Sequence, residues 1–174
     1  MKNSLLIVSI AMILSTQLTA ANPKFTPVNG FELSKYLGTW YEIARMPVSF
    51  ERDLVAVTAT YGLQKDGKVS VLNQGHKNTV QGTIKKACGK AKFAGKPDVG
   101  HLKVSFFGPF YADYIIVALD QKEYQYALVL SKGFKYLWIL SRTPRLDASI
   151  LNGLLDKAKA LGFDVQKLYM VPQE

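Results

Sequence analysis

"YLGTWYEIAR", residues 36–45, alternates loosely like a β-strand, with Tyr41, Ile43 and Ala44 set against Glu42 and Arg45. Yet it opens on Gly38-x-Trp40 and so commits the largest apolar side chain at the strand's very start. A strand end is normally wet. An indole belongs there only if that end is sealed, and the rest of the chain says how.

Seven further β-rich runs follow the first: 55–63, 68–75, 80–93, 101–107, 113–120, 124–131 and 136–142. Turn signals cut them apart, among them Lys65-Asp66-Gly67, Gly108-Pro109 and Lys132-Gly133. Short connections between consecutive runs suggest an antiparallel meander. One segment breaks the pattern. Leu146, Ile150, Leu151, Leu154, Leu155, Ala158 and Leu161 recur at helical spacing, Asp147 stands at the N-cap and Gly162 at the stop. "FDVQKLYMV", 163–171, then reads as a short last strand. An open eight-stranded meander leaves two edges to aggregate, and closure removes them. The expected fold is therefore all-β: an eight-stranded up-and-down antiparallel β-barrel with one C-terminal α-helix packed on its outside.

Residues 1–21 carry Lys2, an apolar run from Leu5 to Leu14 and small residues at Ala20 and Ala21, the pattern of a secretory signal peptide. One domain, 22–174, remains. Export predicts a soluble periplasmic or secreted product, and no cysteine follows the apolar run for lipoprotein anchoring. The formal net charge of +9 falls by one when the leader leaves with Lys2. Such a surface favours acidic partners, an anionic membrane surface among them. Export argues against nucleic acid. Cys88 is alone, so the fold stands without an internal disulfide.

In an up-and-down meander, the start of the first strand, the turn between the sixth and seventh ("DQKEYQ", 120–125) and the end of the eighth share one end. That gathers Gly38, Trp40, Glu123, Tyr124 and Arg142. A guanidinium over an indole face excludes water and makes a floor, and Gly38 lets the lead-in chain pass close beneath. These three motifs together resemble the lipocalin signature. "YLGTWYEIAR", "VTATY", "LKVSFFGPFY" and "YLWILSRTP" are similar to the bacterial lipocalin subgroup, itself similar to plant temperature-induced lipocalins and apolipoprotein D. The resemblance covers essentially the whole mature chain. It implies a carrier of a small lipophilic ligand; the residues themselves offer no catalytic set, metal site or cofactor. The family's Thr-Asp-Tyr is here only Glu123-Tyr124.

The floor sets the parity of the wall. Ala44 and Met46, with Glu42, should point inward on the first strand, and Tyr136, Trp138 and Leu140 on the eighth. Val57, Ala59, Tyr61, Leu102, Val104, Phe106, Ile116 and Leu128 complete the expected wall. An inward Glu42 needs a cation or water. At the other end the loops bring Phe50, Phe107, Phe110, Tyr111 and Phe134 to a mouth, with Arg52, His76, Lys77, Lys132 and Lys135 nearby. Grease and positive charge together suit a fatty acid or lysophospholipid, tail down. A C16 tail removes about 14 methylenes from water, worth roughly 11 kcal/mol gross. Association and chain-ordering costs leave an affinity near micromolar.

Three other readings compete: a membrane-surface protein without a dedicated ligand, a tetrapyrrole or haem carrier using His76, and an isomerase using Cys88. The two histidines show no metal-ligand spacing and no Ser-His-Asp set can be placed. The expected assembly is a monomer or weak homodimer.

Overall fold

The computed structural model describes residues 25–174. The signal-peptide assignment of residues 1–21 lies outside them. A short helix, α1 (Leu33–Tyr36), leads into β1 (Gly38–Arg45). Then come β2 (Leu54–Leu63), β3 (Val69–Lys77), β4 (Ile84–Phe93), β5 (His101–Phe107), β6 (Phe110–Leu119), β7 (Tyr126–Leu130) and β8 (Leu137–Ser141). Each pairs antiparallel with the next, and β1 pairs with both β2 and β8, so the eight strands close into the expected barrel.

The last elements are α2 (Ala148–Ala160) and β9 (Tyr169–Met170). The Asp147 carboxylate caps α2 by accepting from the Ser149 N–H at 2.8 Å, and Gly162 ends it at φ +91°. Leu154 and Ala158 on α2 pack with Ile43, Leu130 and Ile139 on the barrel's outer face. A separate cluster, including Trp40, Tyr61, Val71, Leu102, Ile116 and Leu140, fills the inside. The period-2 pattern of the strands thus feeds two cores, one enclosed and one beneath the helix.

β1 and β2 pair only from Gly38↔Tyr61 to Tyr41↔Thr58 and then part. The C-terminal segment fills the wedge. β9 pairs with Ala44 and Arg45, and the Val171 N–H donates to Ile43 O at 2.9 Å. The Ala56 N–H donates to Pro172 O at 2.7 Å. Gln173 Nε2 bridges the two strands by donating to Glu42 O and Val57 O at 2.7 and 3.1 Å. The final strand is short because it is a seam, satisfying backbone groups that would otherwise be orphaned inside the wall.

Candidate functional site: the barrel interior and its mouth

The closed end is built around Trp40, which has no exposed surface. Its Nε1–H donates to Tyr36 O at 2.8 Å, and the Arg142 guanidinium lies 3.9 Å above the ring. Arg142 also donates to four backbone carbonyls, those of Lys35, Leu37, Thr39 and Tyr124, at 2.7–3.2 Å. Gly38 sits at φ +92°, and a β-carbon there would meet Arg142 Nη1 at 3.4 Å. The glycine thus supplies both the left-handed backbone and the room for the guanidinium.

Tyr124 is buried at φ +55°, and its hydroxyl accepts from the Glu32 N–H at 2.9 Å. Glu123 does not join the floor. Its exposed side chain lies beside Lys122, 3.8 Å away. The carboxylate that shapes this turn is Asp120, which accepts from the N–H groups of Lys122, Glu123 and Gln125 at 3.2–3.4 Å.

Above the floor, three tyrosine hydroxyls form a chain. Tyr36 and Tyr61 each bond the hydroxyl of Tyr114, at 2.7 and 2.9 Å. Burial pushes all three hydroxyls well above the ordinary tyrosine pKa, so they stay neutral and act as polar spots in an otherwise apolar wall. Ala59, Val104, Phe106 and Trp138 pack on the same inner cluster.

Nearer the mouth the interior turns ionic. Glu42, Arg45 and Glu51 are all buried. Arg45 Nη1 donates to Glu42 Oε1 at 2.7 Å, while Arg45 Nε lies 3.7 Å from Glu51 Oε2. Arg45 Nη2 donates to the carbonyls of Glu51 and Leu54, and the indole of Trp138 donates to Glu51 Oε2 at 3.3 Å. Glu51 ends a one-turn 3-10 helix, Ser49–Glu51, in the loop joining β1 to β2. The loop is therefore pinned by a carboxylate turned inward. Two carboxylates share one guanidinium, so burial, with Glu51 as the second cause, raises Glu42 to about 8 against the pull of Arg45. Burial also raises Glu51.

Sequence alternation could not reveal this cluster. Residues three apart on a regular strand face opposite ways. A bulge at Ile43, between the pairs Glu42↔Leu140 and Ala44↔Ile139, changes the phase. The same bulge corrects two expected wall positions: Ala44 and Met46 belong to the core beneath α2. Leu128 lies there too, because on β7 its neighbours Ala127 and Val129 are the ones facing inward.

The other expected wall residues divide as follows. Ala59, Tyr61, Leu102, Val104, Phe106, Ile116 and Trp138 line or support the interior. Val57 is buried beside Gly75. Tyr136 packs at a tilt on Trp138, with ring centroids 5.8 Å apart, and meets Phe50 edge-on at 5.7 Å. Asn73, which sequence reasoning passed over, shares the face of Ala59 and Ala87 by register, and its Oδ1 is buried without a partner.

Among the expected mouth residues, Phe50, Arg52, Phe110 and Lys132 are exposed at the loop end. His76 lies near the end of β3, opposite Val55 and Ile84, with a buried, unpartnered Nδ1. Tyr111 is on the outer wall, where Lys92 Nζ sits 4.7 Å over its ring. Phe134 packs with Phe25 and Phe163 at the outer core. Cys88 is exposed, one residue out of phase with the inward Ala87.

The interior is sealed below and reachable above. Ala87 and Ala112 share the inner face with Asn73 and Val104, yet both are exposed. β4 and β5 pair only over Lys90–Phe93, so the wall is unzipped beside Ala87.

A family model described as a lipocalin-like domain matches residues 31–173. The chain is a lipocalin. It is 50% identical over 148 residues, 85% of this chain and 82% of the other, to the outer membrane lipoprotein Blc of Escherichia coli (strain K12). Temperature-induced lipocalin-1 of Arabidopsis thaliana is 37% identical over 84% of this chain and 81% of its own. Apolipoprotein D of Mus musculus is 33% identical over 82% and 77%. Among solved structures, insecticyanin from the tobacco hornworm Manduca sexta superposes with a TM-score of 0.68 at 26% identity, covering 87% of this lipocalin and 85% of that chain. The bacterial subgroup read from the motifs, with its plant and apolipoprotein D kin, is the right one.

The same relatives correct the localisation. Those at about half identity are named outer membrane lipoproteins, which overturns the expectation of a free, soluble periplasmic or secreted product without an anchor. The domain that aligns is the barrel, and a barrel's packing carries no record of how its N-terminus is held.

Proposed function

We propose that this lipocalin binds a single-tailed amphiphile, a fatty acid or lysophospholipid, with its tail in the barrel, and takes part in envelope lipid transport, storage or membrane maintenance without catalysis. The observation that carries this reading is the contrast between the two ends of the inner face. Trp40 and Arg142 seal one end, while inward Ala87 and Ala112 are open to solvent at the other. An apolar cup open at one end suits a molecule with one apolar and one polar end. The aromatic wall of Tyr61, Phe106 and Trp138 supplies the affinity, and the polar spots at Asn73 and Tyr114 meet hydroxyl or carboxyl groups that descend with the tail. Arg52 and Lys132 at the mouth favour an acidic head. Cys88, turned away from the inner face, has no place in this reading.

Native mass spectrometry of the purified protein should show co-purifying lipid. A lysophospholipid titration should give saturable change in tryptophan fluorescence near micromolar concentration, lost in Trp138→Ala. Ala59→Phe, which fills the cup, should weaken binding about tenfold, the equivalent of about 1.4 kcal/mol. An unresponsive signal with no bound lipid would mean a packed barrel.

A further inference from the structure

We propose that the open end of the barrel is a docking surface for an anionic lipid bilayer, with Phe107 and Phe110 as its anchors. The up-and-down topology puts four connections at this end: residues 46–53, 78–83, 108–109 and 131–136. Phe107 and Phe110 are cross-strand partners flanking the Gly108-Pro109 tip, and they are 82% and 79% exposed. Phe50, on the pinned loop, is 61% exposed, and Ile84 at the start of β4 is 49% exposed. Rings this bare neither line the cup nor pack on a lid, so the ligand site does not account for them. Four large apolar side chains at one end make a patch rather than scattered exposure.

The two ends differ in how much of their positive charge is paired. Arg52, Lys77, Lys85, Lys86, Lys132 and Lys135 are exposed at the open end, and among the described residues none of them is in an ion pair. Of the carboxylates there, Glu51 is taken up by Arg45. Asp53 is the exposed one. At the closed end, by contrast, Lys35, Lys68 and Lys122 each sit beside a carboxylate, those of Glu32, Asp66 and Glu123, and two exposed lysines, Lys65 and Lys96, stand outside the ion pairs against six cations at the open end. Free positive charge is therefore concentrated where the bare aromatic rings are.

That combination fits a bilayer surface. Aromatic rings settle at headgroup depth, and lysines within a Debye length of about 8 Å feel the negative surface potential. A second copy fits worse, because mouth-to-mouth docking sets one basic ring on another. Phe50 points outward while its neighbour Glu51 turns inward, so docking touches the loop that Arg45 and Trp138 pin. Docked this way, the cup opens toward the lipid. The inference concerns the outer surface and does not rest on the carrier reading.

The test is flotation of the purified protein with phosphatidylcholine vesicles containing 30% or no phosphatidylglycerol, at about 0.05 and 0.5 M salt. Binding should require phosphatidylglycerol and fall at least tenfold at the higher salt. The double variant Phe107→Ser/Phe110→Ser should lose at least tenfold in partition. The closed-end variant Lys65→Glu/Lys122→Glu should stay within twofold of the parent. Both changes lie on exposed side chains, and circular dichroism melts confirm that each variant folds.

Equal partition of the mouth variant and the parent would overturn the proposal. So would equal binding to neutral vesicles, or a closed-end variant as impaired as the mouth variant. Self-association that the mouth substitutions abolish, without vesicle binding, would assign the surface to a second copy instead. Lysophospholipid titration of the same variants separates the two readings. Lost partition with retained ligand binding places the docking role in the two phenylalanines. Vesicle binding without any ligand binding sinks the carrier reading and leaves docking standing.

Discussion

Two arginines hold the two ends of this barrel, and they are satisfied in opposite ways. Arg142 lies on an indole and donates to four backbone carbonyls. Arg45 sits between two carboxylates, with two carbonyls and the Tyr169 ring, 4.7 Å away, around it. Carbonyl dipoles and a ring face are permanent, whereas carboxylates take up protons. The floor is therefore a fixed wall, indifferent to pH across the ordinary range. The mouth cluster holds its loop through groups whose charge depends on pH. A structural end and a responsive end are built from the same residue type by changing what it bonds.

The sharpest ways to break that comparison start at the floor. Trp40→Ala removes the plug and leaves Arg142 without its ring, and should cost about 3–5 kcal/mol in urea unfolding. The loss should be the same at pH 5 and pH 8. A strongly pH-dependent loss would show the floor to be coupled to the mouth.

Next comes Arg45→Met, which strands two buried carboxylates. Removing one partner of a buried ionic group costs about 3–5 kcal/mol while the remaining charges persist. At pH 8 the penalty should approach that range. It should shrink toward pH 5, where Glu42 is already protonated. A flat penalty would mean that packing of the side chain, not charge, is what Arg45 supplies.

The smallest expected effect has the opposite sign. Glu42 stands near 8 in the fold, above its ordinary 4.5. Below the lower value it is protonated whether folded or not. Between the two values the unfolded chain ionises freely and the fold does not, so stability drains away as pH rises through that window. It levels off above about 8. Glu42→Gln keeps an acceptor for Arg45 and cannot ionise. It should match the parent at pH 4.5 and exceed it by about 1–3 kcal/mol at pH 8. Destabilisation at pH 8 would show that the Glu42–Arg45 charge pair outweighs the cost of burying it.

How much of this was legible follows the same division. Gly38, Trp40, Tyr124 and Arg142 were readable because their roles follow from chain order: an up-and-down meander brings those positions to one end whatever the details of each strand. Tyr61, Leu102, Val104, Phe106 and Ile116 do lie in the inner cluster, but alternation says only which residues share a face of a strand, not which face is the inner one. Ala44, Met46 and Leu128 fell on the other side. For the first two, one inserted residue at Ile43 reverses every side chain beyond it. Glu123 was mistaken for part of the floor because its neighbour Tyr124 is. The turn used Asp120 instead, whose carboxylate lies within reach of the N–H groups of Lys122, Glu123 and Gln125.

By itself, the amino-acid sequence determined the closed eight-stranded barrel, the capped helix outside it, the sealed end and the family. These rest on periodicity, turn chemistry and connectivity, which are local or follow from chain order. Only the tertiary structure decided that Glu42, Arg45 and Glu51 share one buried site and that the C-terminal segment closes the seam between β1 and β2. It alone set the bare aromatic rings and unpaired cations of one end against the mostly paired lysines of the other. Those features depend on the phase of a strand after a bulge and on which charges meet across the fold, and neither is a property of any short stretch of chain.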